Sequence, residues 1–203
     1  MNCDPPAYYR AADGLDNRLW EYAKPIKTYD VFVILGDLPG WISQTQVEVF
    51  MDLALSERPA AIVQIGSGGG QALLAFAIVL RHNLKGKIYS INPRDSSLRS
   101  NENEDFLALK KVAGKYNLQE QIEFVKIKEG EAAPINHIDI LHIRETDSVS
   151  HADLETWAPL VKKGGWIVFE GSMLSRSANW MNSHCMPIAE FIDPFEWGIW
   201  FKQ

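Results

Sequence analysis

Short apolar runs alternate with amphipathic segments along most of the chain. Five runs are typical of buried strands, because they are continuous, short and rich in β-branched residues: 60–66, 86–92, 121–127, 138–143 and 164–170. Apolar side chains recur at helical spacing in the segments between and before them, at 44–56, 70–82, 101–117 and 151–162. Strands that alternate with helices form βαβ units. The pattern therefore predicts an α/β fold with a mostly parallel sheet that is covered on both faces.

The two ends of the chain depart from this alternation. Residues 7–23 have helical spacing, and "YDVFVILGDLPGW" after them predicts a short strand or extended segment that ends at Gly36 and Pro39. Ser43 and Gln46 then have the spacing of a capping box at the start of the helix at 44–56. Near 187–202, two β-rich runs flank "DPFE" with no room for a helix between them, which predicts an antiparallel hairpin at the sheet edge.

These elements fit one domain of 203 residues. We expect residues 1–43 to form a helical or extended segment that packs on the core, and residues 44–203 to form the α/β domain. The tail "FIDPFEWGIWF" is rich in aromatic residues, most of which should cover the sheet, although a contact between copies of the chain is the alternative.

Composition and charge exclude some classes of partner. A net charge of −6 does not suit nucleic acid or an anionic membrane surface, since both reward a basic face. Cys3 and Cys185 have no metal-type spacing and are expected to be free thiols in a reducing compartment. The first residues lack the pattern of a signal peptide, and no apolar run approaches the roughly 20 residues that span a bilayer. We expect a cytoplasmic protein.

The stretch "IVQIGSGGGQALLAF" holds the strongest chemical signal. A buried strand runs into Gly66, Gly68 and Gly70 and then into an apolar helix. Such a turn allows a ligand to lie against the backbone, and the helix start offers unpaired N–H groups to an anionic group. A dinucleotide fingerprint would require glycine or alanine where Gln71 stands. A tight turn that holds no ligand is the alternative.

With these elements in this order, the chain resembles class I S-adenosylmethionine-dependent methyltransferases, most closely the small sugar and antibiotic O-methyltransferases. The resemblance covers nearly everything after residue 38. It is carried by "GWISQTQVEVFMDLA", "VQIGSGGGQALLAFA", "GKIYSINP", "IDILHI" and "ADLETWAPLVKKGGWIVFEG". It implies a Rossmann-like fold with a seven-stranded sheet, and S-adenosylmethionine as the cofactor.

The resemblance also implies a set of cofactor-binding residues: Gln64, Gly66, Ser67, Gly68, Gly70, Asn92 and Glu131. Two of them are amides where the family usually has carboxylates, namely Gln64 on the first strand and Asn92 at the end of the second. Each lost charge-assisted contact should cost about 1–2 kcal/mol, which weakens binding without abolishing it. As alternatives, Gln64 bonds only to backbone, Asn92-Pro93 is only a turn, and Glu131 lies in a solvated acidic loop.

The family's reaction centre is also altered. Related sugar O-methyltransferases follow the fourth strand with an aspartate and end the fifth with two, which hold a divalent cation or act as a base. Arg144 and Glu170-Gly171 stand at these places, so we expect no metal site. We expect Glu145 or His151 to be the catalytic base. The alternatives are that His151 is an exposed residue at a helix start and that Glu170 pairs with Arg144. His142 is expected to be a core residue.

Together these features predict methyl transfer from S-adenosylmethionine to a small molecule, at a hydroxyl group of a sugar or natural product. One alternative is a catalytically inactive relative that serves as a binding or partner subunit, which the changes at Gln64, Asn92 and Arg144 favour. A nicotinamide-dependent oxidoreductase would need a glycine at position 71 and a hydride site that the sequence does not contain.

Overall fold

The protein is described by a computed structural model, which covers residue 26 and residues 28–66, 69–92, 100–126, 135–144, 151–171, 174–191 and 197–203. Within these residues one sheet contains seven strands: β1 (Ala61–Ile65), β2 (Lys87–Asn92), β3 (Ile122–Lys126), β4 (Ile138–Arg144), β5 (Val161–Glu170), β6 (Met186–Phe191) and β7 (Trp197–Phe201).

The strand order is β3-β2-β1-β4-β5-β7-β6. The first five strands in this order are parallel, whereas β7 runs antiparallel to both β5 and β6. This confirms the predicted Rossmann-like α/β fold with its C-terminal antiparallel hairpin. The hairpin arises because the chain between β6 and β7 is too short for the crossover that a parallel strand needs.

Six α-helices lie in the described ranges: α1 (Thr28–Leu35), α2 (Gln44–Glu57), α3 (Gln71–His82), α4 (Ser100–Lys115), α5 (His151–Trp157) and α6 (Leu174–His184). The predicted capping box is present at the start of α2, where the side chains of Ser43 and Gln46 each bond to the other residue's backbone N–H. Helix α5 ends before the predicted residue 162, since Ala158–Leu160 form a 3-10 turn and β5 begins at Val161. Helix α6 was not predicted from the sequence.

The prediction of a strand or extended segment before Gly36 is wrong, because residues 28–35 form α1. The buried residues of this helix, Val31 and Leu35, are four positions apart and face the core. Tyr29 and Val33 remain 76% and 54% exposed on the other side. The β-branched composition favours a strand, but one-sided packing at helical spacing decided the outcome.

Two hydrophobic cores lie on opposite faces of the sheet. The first contains the buried faces of α1 to α4 together with Ile62, Ile140 and Val168. The second contains residues of α5 and α6, including Leu154 and Met181. The tail contributes to both, because Trp197 lies in the first core and Trp200 in the second, each with 0% exposure. The expectation that the tail aromatics cover the sheet is therefore confirmed for these two.

Asp139 connects three neighbouring strands at the amino-terminal edge of the sheet. Its Oδ2 accepts hydrogen bonds from the backbone N–H groups of Ala60 and Ala61, both at 2.8 Å. Its Oδ1 lies 2.5 Å from Lys162 Nζ. One carboxylate on β4 thus contacts the beginnings of both neighbouring strands, β1 and β5. No helix in the described ranges is long and apolar enough to cross a membrane.

Candidate active site

Four polar or glycine positions lie level with one another at the carboxyl ends of adjacent strands β2, β1, β4 and β5: Asn92, Gly66, Arg144 and Glu170. Their alignment follows from the register, which pairs Ile65 with both Ile91 and Ile143, and Arg144 with Glu170. We call these four positions the edge row. Gln64 pairs in register with Ser90 and His142, which lie two residues before Asn92 and Arg144. Positions two apart on a strand belong to the same face, so the edge row and Gln64 share one face of the sheet.

The edge row spans the point in the sheet where the strand order reverses, between β1 and β4. From β1 the order runs through β2 to β3 on one side, and through β4 to β5 on the other. In open α/β sheets, ligands bind outside the carboxyl ends of the strands at such a switch point. Gly66 and Arg144 lie on the two strands that flank it, so the edge row is the candidate ligand site.

The turn from β1 into α3 requires glycine at two described positions. Gly66 and Gly70 have φ angles of +79° and +82°, and Gly70 is the N-cap of α3. The Gly66 N–H points to the carbonyl of Ile91 on β2 at 3.4 Å. Ser67 and Gly68, two of the predicted cofactor-binding residues, lie outside the described residues.

A loop that precedes α2, residues 36–42, lies directly against this turn. A Cβ atom on Gly69 would stand 2.2 Å from the Pro39 carbonyl oxygen, and one on Gly70 would stand 2.7 Å from a Leu109 methyl group. The Gln71 side chain points its Nε2 at the Leu35 and Gly40 carbonyls, at 3.4 and 3.3 Å. Gly69 and Gly70 are therefore required, at least in part, because a side chain at either position would collide with the protein itself.

Sequence reasoning missed this contact between the loop and the turn. The signal available was Gln71 itself, a polar residue at the first turn of an otherwise apolar helix. Gln71 is 7% exposed, and its amide connects the end of α1 to Gly40 in the loop. This contact is a structural role for glutamine where a dinucleotide-binding turn has glycine or alanine.

Gln64 is fully buried one residue before the end of β1. Its Nε2 points at the Gly66 carbonyl at 3.4 Å, while its Oε1 has no partner among the described residues. A buried acceptor without a partner is costly, so it is suited to a donor supplied from outside the described chain. The alternative that Gln64 bonds to backbone is confirmed for its nitrogen.

His142, Glu170 and Arg144 form a connected group on β4 and β5. The Nε2 of His142 lies 2.8 Å from Glu170 Oε1, and the Nε of Arg144 lies 3.8 Å from Glu170 Oε2. The side chains of His142 and Glu170 are 0% and 7% exposed, whereas that of Arg144 is 27% exposed. The ion pair between Arg144 and Glu170, one alternative in the sequence analysis, is therefore confirmed.

The surroundings of His142 agree with its prediction as a core residue. The rings of Phe50 and Phe76 lie 5.0 and 6.0 Å from its imidazole, centroid to centroid. Its Nε2 is occupied by the contact with Glu170. The other ring nitrogen, Nδ1, has no partner within the described part of the chain.

Several predicted residues cannot be placed. Glu145 and Glu131 lie outside the described residues. His151 begins α5 and Asn92 ends β2, but their side chains are likewise not described. In the described ranges, no group of three or more His, Cys, Asp or Glu side chains could hold a metal ion.

Comparison with known proteins places this geometry in a family. The family model described as "Methyltransferase domain" matches residues 63–171, which include the glycine turn and the whole edge row. A comparison with curated proteins found no match.

Solved structures share the fold across nearly the whole chain. A methyltransferase from Geobacter sulfurreducens is 19% identical with a TM-score of 0.62, covering 93% of this chain and 96% of its own. An O-methyltransferase from Bacillus cereus, in complex with S-adenosylhomocysteine, is 14% identical with a TM-score of 0.60, covering 93% and 91%. The O-methyltransferase TomG from Streptomyces achromogenes, involved in tomaymycin synthesis and in complex with S-adenosylmethionine, is 14% identical with a TM-score of 0.58, covering 94% and 91%.

Proposed function

Because this chain belongs to the methyltransferase-domain family, we propose that it transfers a methyl group from S-adenosylmethionine to a hydroxyl group of a small molecule. The observation that carries the proposal is the edge row, which sets a positive-φ glycine turn beside polar side chains at the switch point of the sheet. A net charge of −6 gives no support to a nucleic-acid substrate.

The residues beneath the glycine turn fit this cofactor. Gln64 Oε1 is a buried acceptor without a described partner, as an ammonium group of the cofactor would need. The positive φ angles of Gly66 and Gly70 require glycine at both positions, and a turn of this kind lets a ligand lie close to the backbone. Asn92 ends the neighbouring strand at the same level, where its amide would accept from ribose hydroxyls. Ser67, Gly68 and Glu131 complete the proposed set.

When bound, S-adenosylmethionine supplies an electrophilic methyl group on a positively charged sulfur. The residues of the chain have two tasks, which are to hold the acceptor oxygen in line with that methyl group and to remove its proton. We propose Glu145 or His151 for proton removal, since both follow β4 in the chain on the side where the edge row lies.

Titration calorimetry with S-adenosylhomocysteine tests the cofactor site. We expect measurable but weak binding in the natural protein, because Gln64 and Asn92 are neutral. Asn92→Asp should tighten binding by about tenfold, the size of one charge-assisted contact. The matched control is Asn117→Asp, which adds the same charge at an exposed site beyond the end of α4, and it should leave the affinity unchanged.

One outcome would contradict the proposed function, and another would contradict the role of Asn92. If neither the natural protein nor Asn92→Asp binds S-adenosylhomocysteine, the alternative of an inactive binding or partner subunit is favoured instead. If both Asn→Asp variants gain equally, the effect is long-range electrostatics and Asn92 does not touch the cofactor. No described contact favours the inactive alternative at present.

A further inference from the structure

The 36–42 loop and the glycine turn are in direct backbone contact. A Cβ atom on Gly69 would stand 2.2 Å from the Pro39 carbonyl oxygen, and one on Gly40 would stand 3.7 Å from Gly69 Cα. At the start of α3, Gln71 points its Nε2 at the Gly40 carbonyl at 3.3 Å. Close-packed segments transmit a displacement from one to the other, so a movement of this loop changes the position of the turn.

Helix α4 contacts both the turn and the loop. Leu109 lies against the turn, since a Cβ atom on Gly70 would stand 2.7 Å from one of its methyl groups. At the end of the helix, Lys115 Nζ lies 2.6 Å from Asp37 Oδ2, and the Tyr116 hydroxyl donates to the same oxygen at 2.8 Å. The loop, the turn and α4 therefore contact one another pairwise, and the conformation of the turn depends on the other two.

Asp37 is the only charged residue of the 36–42 loop, and its contacts lie at the surface. Its side chain is 36% exposed and that of Lys115 is 58% exposed. The hydrogen bonds from Lys115 and Tyr116 hold the pKa of Asp37 below its ordinary value, so the carboxylate is ionised at neutral pH. An exposed pair adds little to overall stability, and the buried residues Leu38 and Ile42 keep the loop attached. Loss of the pair therefore loosens the loop locally and leaves the fold intact.

From these contacts we propose that the 36–42 loop holds the glycine turn in its cofactor-binding conformation, and that Asp37 and Gln71 are positioning residues for the cofactor. Asp37 acts by connecting the loop to α4, and Gln71 acts by connecting the loop to the first turn of α3. The inference rests on the proposed function. It adds that the affinity for the cofactor depends on an ion pair outside the edge row.

The rates of cofactor binding separate this role from a direct contact. If loosening leaves only a fraction of the molecules with a competent turn, the association rate falls by that fraction and the dissociation rate stays the same. A residue that touches the bound cofactor changes the dissociation rate instead. Removing an exposed ion pair shifts a local equilibrium by about two- to fivefold, and removing the buried amide of Gln71 shifts it by roughly tenfold.

Surface plasmon resonance with S-adenosylhomocysteine measures both rates. We expect Asp37→Asn to lower the association rate by about two- to fivefold. Gln71→Met, which keeps the length of the side chain without its donor, should lower it by roughly tenfold. The dissociation rate should stay within about twofold in both variants. The matched control is Glu123→Gln, which removes another exposed pair, with Lys87 at 3.2 Å, and should change neither rate.

Exchanging the two charges tests the ion pair itself. Lys115→Asp alone places two acids side by side and should lower the association rate at least as much as Asp37→Asn does. Adding Asp37→Lys re-forms a pair in the opposite sense without changing the net charge, and it should restore most of the association rate. A double variant that associates no faster than Lys115→Asp alone would overturn the role of the pair.

The same rates separate this inference from the proposed function. Slower association with an unchanged dissociation rate in Asp37→Asn supports the inference. If the natural protein binds S-adenosylhomocysteine but Asp37→Asn leaves both rates unchanged, or raises only the dissociation rate, the inference is overturned while the proposed function stands. Asp37→Asn decides alone if Gln71→Met does not fold, since the Asp37 contact is exposed. If the natural protein binds no S-adenosylhomocysteine, the proposed function fails and the inference fails with it.

Discussion

The amide of Gln64 is explained by its neighbours in the sheet. It pairs in register with His142 on β4 and with Ser90 on β2, and all three side chains are buried. His142 already contacts the buried carboxylate of Glu170. A carboxylate at position 64 would place a second acidic group in the same apolar face, where an unpaired charge is costly. The neutral amide avoids this cost in the protein without cofactor.

Gln64→Glu should therefore destabilise the free protein. We expect the free energy of unfolding to fall by about 1–3 kcal/mol, because a buried charge replaces a satisfied donor. Part of the loss should be recovered on adding S-adenosylhomocysteine, whose ammonium group would pair with the new carboxylate. Denaturant unfolding with and without this compound measures both effects. Unchanged stability in the free variant would show that position 64 is more hydrated than its burial indicates.

A substitution at Gly69 tests the close contact between the glycine turn and the 36–42 loop. Gly69→Ala would place a Cβ atom 2.2 Å from the Pro39 carbonyl oxygen, so the backbone of the loop must move. We expect a loss of about 1–3 kcal/mol in unfolding free energy, as for other overpacked sites. The control is Gly114→Ala in α4, whose Cβ would meet only Gln119 Nε2 at 3.4 Å, and which should gain about 0.5–1 kcal/mol. Equal effects in both variants would contradict the close contact.

Two groups of long-range contacts connect the elements, one at each edge of the sheet. At the carboxyl edge, Gln71 of α3 connects the end of α1 to Gly40 in the 36–42 loop, and Lys115 of α4 pairs with Asp37 in the same loop at 2.6 Å. At the amino-terminal edge, Asp139 connects β4 to the starts of β1 and β5. The first group lies beside the candidate site, and the second lies at the opposite edge of the sheet.

The contacts of Asp139 predict a pH dependence of stability. Burial alone would raise the pKa of Asp139, but the Lys162 ammonium and the backbone N–H groups of Ala61 and Ala60 outweigh it and hold the pKa below its usual value. A carboxyl group with a lowered folded-state pKa stabilises the protein above its unfolded pKa of about 3.9, and this stabilisation is lost as pH falls through the lower folded value.

Asp139→Asn should accordingly cost about 1–3 kcal/mol at pH 7, with the difference from the natural protein shrinking below about pH 4. Urea unfolding from pH 3 to pH 7 measures it. The control is Glu123→Gln, which breaks the exposed pair with Lys87 at 3.2 Å and should cost less than about 1 kcal/mol at any pH. A difference for Asp139→Asn that persists undiminished at pH 3 would contradict the carboxylate's role.

For the whole molecule, the sheet brings a guanidinium and a carboxylate together at the carboxyl ends of β4 and β5. Arg144 and Glu170 come from different strands, 26 positions apart in numbering (170 − 144), and meet because β4 and β5 pair in parallel register. Their charges offset one another, and the Arg144 guanidinium repels a divalent cation at close range. The molecule is therefore expected to work without a metal.

Methyl transfer by the natural protein should proceed at the same rate with EDTA as with magnesium, within about twofold. Calorimetric titration of the natural protein with Mn²⁺ should show no stoichiometric binding. Replacing the guanidinium by a carboxylate, in Arg144→Asp, should make Mn²⁺ binding detectable, since two acids would then stand on adjacent strand ends. Activity that disappears with EDTA and returns with magnesium would refute the prediction.

The sequence by itself determined the elements that depend on local periodicity and local hydrogen bonds. The alternation of strands and helices, the capping box of Ser43 and Gln46, and the hairpin of β6 and β7 were all predicted, because each is decided by residues close together in the chain. The glycines of the turn were also visible there, and the family resemblance indicated amides and an arginine where acids are usual.

Only the tertiary structure decided which distant residues meet. Residues 28–35 have a strand-like composition, but they form α1 because Val31 and Leu35 on one face of the helix pack into the core. The contacts of Glu170 with His142 and Arg144, of Asp139 with Ala60, and of Gln71 with the 36–42 loop depend on strand order and register. Local patterns do not encode that order, because the same strands could pair differently with equal local propensity.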